Sequence, residues 1–263
     1  MQCNKYIKFG VLYEKARELG AEMMVTGHYA RIEKRSADGR LLLLKGNDRR
    51  RDQSYFLYGL TQEQLSHTLF PLGNLTKNSV KEIAAGMKLP VASSESREIC
   101  FIPDNNYSRF LRKYSSSSTK PGVIKDINGN ALGEHRGIIN YTIGQRKRLG
   151  IAAKQPLYVV AIDSETDTVV VGEKIDIYSS VCIVANVNWI ATSELTKAIQ
   201  ARAKIRYLHP EAEAVLTPDS RGRVRIKFKE PQMAITPGQS AVFYDGDVVL
   251  GGGIIEEVAR GCK

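Results

Sequence analysis

Met23-Met24-Val25-Thr26-Gly27-His28-Tyr29 decides how the first part of the chain is read. A short apolar run closed by glycine predicts a buried strand over 23–26. Ahead of it, Ile7, Val11, Leu12, Ala16 and Leu19 recur at helical spacing, and Gly20 supplies a C-terminal stop. A helix, a buried strand and a Gly-His turn, in that order, read as part of an α/β layered domain. In such sheets ligands bind beyond the carboxyl ends of the strands, which is where Gly27 and His28 fall. Glycine there lets the backbone approach a ligand closely. His28 reads equally well as a histidine that satisfies the turn.

Downstream, Ala30 to Glu33, an Asp38-Gly39 turn and Leu41 to Leu44 predict a hairpin. Asn47 to Gln53 is a polar, basic loop, and Tyr55 to Tyr58 predicts the start of a helix. Phe70-Pro71-Leu72-Gly73 is a break. Thr76 is placed to N-cap a helix running to about Met87, with Val80, Ile83 and Ala84 inward. Leu89 to Ala92 predicts a short strand, and Tyr107 to Tyr114 one more helix. Ser115 to Gly122 is a linker and a domain boundary. Beyond it the chain reads as short strands between turns, Tyr158 to Asp163 and Thr168 to Gly172 among them. From about Ile175 it is again all strands, for which a small closed barrel would remove the edges.

The 263 residues suffice for two or three domains, with 43% hydrophobic and 25% charged residues marking a globular chain. No apolar run approaches the roughly 18 residues that span a bilayer, and the N-terminal residues contain no secretory hydrophobic region, so the cytoplasm is the expected location. Cysteines 3, 100, 182 and 262 form no CxxC pair, which argues against zinc, and in a chain this long without a signal peptide a disulfide framework is not expected. The net charge of +10 points to a polyanionic partner, nucleic acid first. Three basic clusters carry it: Arg49-Arg50-Arg51, Arg146-Lys147-Arg148, and the alternating Arg221, Arg223, Arg225, Lys227 and Lys229. On a strand the last set would form one positive stripe suited to a phosphate backbone.

Ser96-Arg97-Glu98-Ile99-Cys100-Phe101-Ile102-Pro103 places a cysteine inside a short apolar run. A thiol beside Arg97 suits a nucleophile or sulfur carrier. A cysteine in an apolar run is also ordinary as a small buried hydrophobe. Both readings stand on this stretch alone.

Several strings occur in one order along the whole chain. They are Cys3-Asn4-Lys5; Thr26-Gly27-His28-Tyr29-Ala30-Arg31; Asp52-Gln53-Ser54-Tyr55-Phe56-Leu57; Phe70-Pro71-Leu72-Gly73; Ile99-Cys100-Phe101-Ile102; Tyr141-Thr142-Ile143-Gly144-Gln145-Arg146; Pro237-Gly238-Gln239-Ser240; and Gly251-Gly252-Gly253. Together they closely resemble the tRNA-specific 2-thiouridylases, the MnmA or TrmU family. The resemblance implies a partial Rossmann-like ATP-pyrophosphatase α/β domain over residues 1–114, a β-rich central domain over 115–174 and a C-terminal β-barrel over 175–263. It implies adenylation of C2 of the tRNA wobble uridine by ATP, then sulfur delivery from a cysteine persulfide. Cys100 matches the persulfide-bearing cysteine, and Cys3 the second catalytic cysteine, a nucleophile that can pair with it. Gly27 matches a contact to ATP. His28, Arg51-Asp52-Gln53, Arg206-Tyr207 and Gln239 match tRNA contacts. Arg51 stands where the family usually has lysine, keeping the charge but not the geometry. ATP is the implied cosubstrate, with magnesium accompanying it, and no tightly bound metal or organic cofactor is implied. The implied partners are the tRNA anticodon loop and a persulfide-donating protein, with no membrane. Cys182 and Cys262 match no functional position.

The family's Ser-Gly-Gly-Val-Asp-Ser loop, which cradles the ATP pyrophosphate, does not occur in this sequence, nor does the Asn-Pro motif upstream of the first cysteine. Three expectations follow. The chain corresponds to the family without roughly its first hundred residues. Its parallel sheet exposes edges and an apolar face. On its own it binds ATP weakly or not at all. The competing reading is a catalytically incomplete fragment acting only as a tRNA-binding module. A third is an amidating ligase of the same superfamily, against which the two placed cysteines and the basic β-rich half argue.

Overall fold

The computed structural model describes residues 1–89, 102, 104, 106–114 and 120–259. Cys100, Cys262, the predicted strand from Leu89 to Ala92 and most of the Ser96–Pro103 stretch therefore lie outside the described residues. The chain divides into two compact units. One comprises residues 1–91, 181–230 and 237–258; the other comprises 92–180, 231–236 and 259–263.

In the first unit, Cys3–Val11 is a widened helical segment kinked at Gly10, and it runs into α1 (Leu12–Glu18). The predicted strand over 23–26 is shorter, as β1 (Met24–Val25), and it is not buried: Val25 is 59% exposed. After β1 come the hairpin β2 (Ala30–Lys34) and β3 (Leu41–Lys45), the short α2 (Gln62–Ser66) and β4 (Thr68–Leu69). β1 pairs in parallel with β4, setting Val25 beside Leu69, which is also exposed. Both apolar side chains of this pair, Val25 and Leu69, thus face solvent. Tyr55 to Tyr58 begins with a single tight turn, Ser54–Phe56, rather than a longer helix. Thr76 caps α3 (Lys77–Gly86), accepting from the Ser79 N–H at 3.1 Å. None of its residues is buried, so Val80, Ile83 and Ala84 do not form the inward face predicted.

In the second unit, α4 (Tyr107–Tyr114) precedes β5 (Gly122–Asp126), β6 (Ala131–His135), β7 (Tyr158–Asp163) and β8 (Thr168–Gly172). These four strands form a sheet of order β6-β5-β8-β7, with β5 and β8 parallel. Ile124, Ile138, Leu149, Val159, Val169 and Val171 make its core. His135 is buried and structural: its Nδ1 accepts from the Gly137 N–H at 3.1 Å, and its Nε2 donates to the Asp167 carbonyl at 2.8 Å. Arg146, Lys147 and Arg148 stand exposed after a turn in which the Gly144 N–H donates to the Val159 carbonyl.

The remaining strands are β9 (Tyr178–Trp189), β10 (Ile199–Lys204), β11 (Ala212–Pro218), β12 (Val224–Met233), β13 (Ser240–Asp245) and β14 (Val248–Ala259). They run β13-β10-β11-β12-β9-β14, and β13 also pairs with β14, which closes the barrel. Gly252 on β14 is required by this closure, since a Cβ would lie 2.7 Å from the Ala241 carbonyl and 2.8 Å from the Tyr58 ring. The hairpin β3-β2 continues the sheet outward from β14.

One core serves both the N-terminal segment and the barrel. Phe9, Ala30, Leu43, Tyr55, Leu57, Leu60 and Leu65 pack with Ile190, Val242, Tyr244 and Val249. Polar bonds seal the seam. Arg40 donates to the carbonyls of Ile190 (2.6 Å) and Thr192 (2.5 Å), and the Asn188 amide donates to those of Tyr58 and Leu60. Buried backbone carbonyls need such partners.

Candidate functional site

The Gly27-His28-Tyr29 loop leaves the carboxyl end of β1. Gly27 is exposed, and His28 and Tyr29 are buried. His28 Nδ1 is hydrogen-bonded to Thr26 Oγ1 at 2.8 Å, and its ring lies 6.1 Å from Phe9 and 5.9 Å, edge-on, from Phe70. Burial in this aromatic cage, with Lys8 adding repulsion, lowers its pKa to about 4, so it is neutral at pH 7. The Phe70-Pro71-Leu72-Gly73 string explains itself here. Phe70 covers the histidine, while a Cβ on Gly73 would fall 1.9 Å from the Ala30 carbonyl. Only a glycine permits that approach.

The Arg51-Asp52-Gln53 loop is tied to the same place. Gln53 pairs with Tyr29 both ways: its N–H donates to the Tyr29 carbonyl at 2.9 Å, and its Oε1 accepts from the Tyr29 N–H at 3.0 Å. Asp52 is buried. Its Oδ1 accepts from the N–H groups of Gly46 (3.0 Å) and Ser54 (3.1 Å), and its Oδ2 from Ser54 Oγ (2.9 Å). Both oxygens are thus engaged within the loop. Buried Lys45 contacts the Glu211 carboxylate at 2.7 Å, donates to the Gly246 carbonyl at 2.8 Å and lies 4.5 Å from the Tyr244 ring centroid. Tyr244 lies 3.4 Å from Ser54 through its hydroxyl, and burial raises its pKa well above the ordinary value.

Arg206 and Tyr207 follow β10 and reach the same loop. The Tyr207 ring is 4.3 Å from Phe56 and 6.2 Å from Tyr55. The structure therefore gathers His28, Gln53, Phe56 and Tyr207 into one body of the fold, although they span 180 positions of sequence. Burial lowers the pKa of Arg206 and raises that of Tyr207. Gln239 is exposed beside Ser240, whose carbonyl accepts from the Tyr55 hydroxyl at 2.9 Å. Cys3 is exposed on the first helical segment. Its neighbour Asn4 is anchored to the Phe56 carbonyl at 3.2 Å, beside a cavity of about 340 Å³ that Lys5, Tyr58, Asn188 and Ser240 also line. Cys182 is fully buried, and burial pushes its thiol up to about 12. It is a core residue of β9.

The basic clusters divide in use. Arg225, Lys227 and Lys229 share the exposed face of β12, but Lys229 is paired with Glu213 at 3.0 Å. Arg223 is held by Asp219, Glu256 and Glu257, and Arg221 sits in the turn with φ +60°. The five-residue stripe read from alternation thus reduces to Arg225 and Lys227 as cations without a carboxylate partner among the described residues. Arg49 is likewise bound to Asp247. Sequence reasoning missed Lys204, Phe56 and the Lys45–Glu211–Tyr244 cluster. Lys204 stands two residues before Arg206, and on the strand its alternation with Arg202 could have flagged it.

An α/β segment fused through one core to a closed barrel, with a separate small β unit, is the class that domain comparison defines as well. Residues 1–104 match the tRNA methyl transferase HUP domain, 108–173 the tRNA methyl transferase PRC-barrel domain and 179–255 the aminomethyltransferase beta-barrel domain. At the level of whole sequences, the chain is 54% identical to tRNA-specific 2-thiouridylase MnmA 1 of Caldanaerobacter subterraneus subsp. tengcongensis, over 98% of this chain and 71% of that protein. It is 52% identical to MnmA 2 of a Thermoanaerobacter species (97% and 70%) and 49% identical to MnmA of Halothermothrix orenii (97% and 71%). The chain belongs to the MnmA family of tRNA-specific 2-thiouridylases, which are enzymes.

Proposed function

We propose that this protein converts the wobble uridine of tRNA to 2-thiouridine. The observation that carries the reading is the joining of His28, Gln53 and Arg206-Tyr207 into one body, in a chain about half identical to named 2-thiouridylases. Uridine O2 is a poor leaving group, so ATP first converts it to an adenylate, releasing pyrophosphate. Exposed Gly27 at the end of β1 is the backbone contact to ATP. The terminal sulfur of a Cys100 persulfide, charged by a donor protein, attacks C2 and AMP departs. A Cys3 thiolate then attacks the Cys100 sulfur. The S–S bond breaks, the thiocarbonyl is released, and the resulting disulfide is reduced by an external dithiol. The exposure of Cys3 suits that role. Neutral His28 shapes the loop against the tRNA without adding charge. The anticodon-loop base is splayed out and held by stacking and edge contacts, as single-stranded RNA usually is.

The test incubates the chain with unmodified tRNA, ATP and a persulfide donor, alone and with the family's ATP-loop segment added back. Nucleosides are then analysed by mass spectrometry. 2-Thiouridine is expected, and it is expected to vanish in Cys100→Ser while tRNA binding persists. Thiolation surviving in Cys100→Ser refutes the chemistry. Binding without thiolation in every arm reduces the protein to an RNA-binding module.

A further inference from the structure

Lys204 ends β10 and is half-buried. Its ammonium lies 5.9 Å from the Tyr55 ring centroid and 5.6 Å from that of Tyr207. Among the described residues it makes neither a hydrogen bond nor an ion pair; Asp52 and Glu211 act on it only through space. Several other cations of this unit are matched, Lys45 by Glu211, Arg49 by Asp247 and Arg223 by three carboxylates, while Arg225 and Lys227, which lack a carboxylate partner among the described residues, are exposed rather than half-buried. Partial burial without a hydrogen-bonded counter-charge is unfavourable, and it holds the Lys204 pKa below its ordinary value. An arriving anion would relieve that penalty.

Beside this cation stand two half-exposed rings, Phe56 and Tyr207, 4.3 Å apart and inclined by 40°. A cation next to accessible aromatics fits a phosphate joined to a flat base. An acidic peptide would use the charge and leave the rings idle. We propose that Lys204 and the Phe56–Tyr207 ring pair form a nucleotide subsite, with Lys204 holding a phosphate and the rings stacking an unpaired base of the tRNA. This rests on the tRNA reading above and adds two residues, Lys204 and Phe56, to those the family resemblance supplied.

The experiment measures the affinity of unmodified tRNA over a series of salt concentrations for the intact chain and for Lys204→Met, Lys204→Arg, Phe56→Leu and Lys229→Met. Losing one phosphate contact should flatten the slope of log K against log salt by about 0.7–0.9 and weaken binding about sixfold at 0.1 M salt. Lys204→Met should show this, while Lys204→Arg and the ion-paired control Lys229→Met should keep the full slope. Phe56→Leu should weaken binding about five- to 150-fold with the slope unchanged. Thermal unfolding of each variant accompanies the series, and Lys204→Met should be as stable as the unmodified chain. An unchanged slope in Lys204→Met overturns the proposal. Absence of salt-dependent tRNA binding in the unmodified chain would instead overturn the function proposed above.

Discussion

Removing the Asp52 carboxylate separates two roles that sequence alone leaves merged. The family resemblance marks Asp52 as a tRNA contact, yet in the fold both of its oxygens are engaged by Gly46 and Ser54. Asp52→Ala leaves two buried backbone N–H groups without an acceptor, each worth about 1–3 kcal/mol. The Ser54 hydroxyl can turn toward Tyr244, 3.4 Å away, and adds little. Water entering at the surface offsets part of the loss, so the expected destabilisation is about 2–4 kcal/mol. Asp52→Asn keeps one oxygen facing both N–H groups and should cost about 1 kcal/mol or less. The assay is urea unfolding followed by the fluorescence of Trp189, the single tryptophan, which lies in the same unit as Asp52. It is paired with tRNA affinity measured well below the unfolding midpoint. Asp52→Ala should lose stability and affinity together, and Asp52→Asn should largely retain both. The reasoning fails if Asp52→Ala unfolds within about 0.5 kcal/mol of the unmodified chain. It fails equally if Asp52→Asn stays fully stable while its tRNA affinity falls tenfold.

His28 gives a pH signature. Its pKa falls from 6.5 to about 4 on folding, so between those values the native state binds fewer protons than the unfolded one and stability rises with pH. The contribution is complete above about pH 6.5, is diminished by about 2 kcal/mol at pH 5, and levels off below about pH 4. His28→Gln should flatten unfolding free energy across this window, and an unchanged pH slope would count against a caged, neutral ring. For the thiols, iodoacetamide with peptide mass spectrometry should label exposed Cys3 in the native protein. Cys182, buried and raised to about 12, should be labelled only after unfolding. Rapid native labelling of Cys182 would show the barrel core to be open.

What the sequence made legible was the local pattern. Tyr158 to Asp163 and Thr168 to Gly172 form strands within the residues read, because alternation and bounding turns are properties of the segment itself. The closed barrel followed from strand count and the need to remove edges. What failed depended on neighbours. Met23 to Thr26 has the composition of a buried strand, but its burial depends on the layers packed over it, and Val25 and Leu69 remain exposed. The stripe on β12 was overestimated because the carboxylates of Glu256 and Glu257 approach Arg223 from another strand. The site was legible as separate strings only. That Gln53 clasps Tyr29, and that Tyr207 meets Phe56, are long-range pairings that no periodicity encodes.

The seam between hairpin and barrel also constrains how the molecule is made. Arg31 reaches Asp247 across 216 positions, and Lys45 reaches Glu211 across 166. Contacts of such high order close slowly, because the chain entropy of the intervening loop is lost before they form. During synthesis the loop that carries Arg51 to Gln53 emerges long before the strands that complete its core. At the ribosome it must wait, with Tyr55, Leu57 and Leu60 unburied, until β13 and β14 have been translated. A nascent chain of this kind is a natural client for chaperones that shield apolar segments.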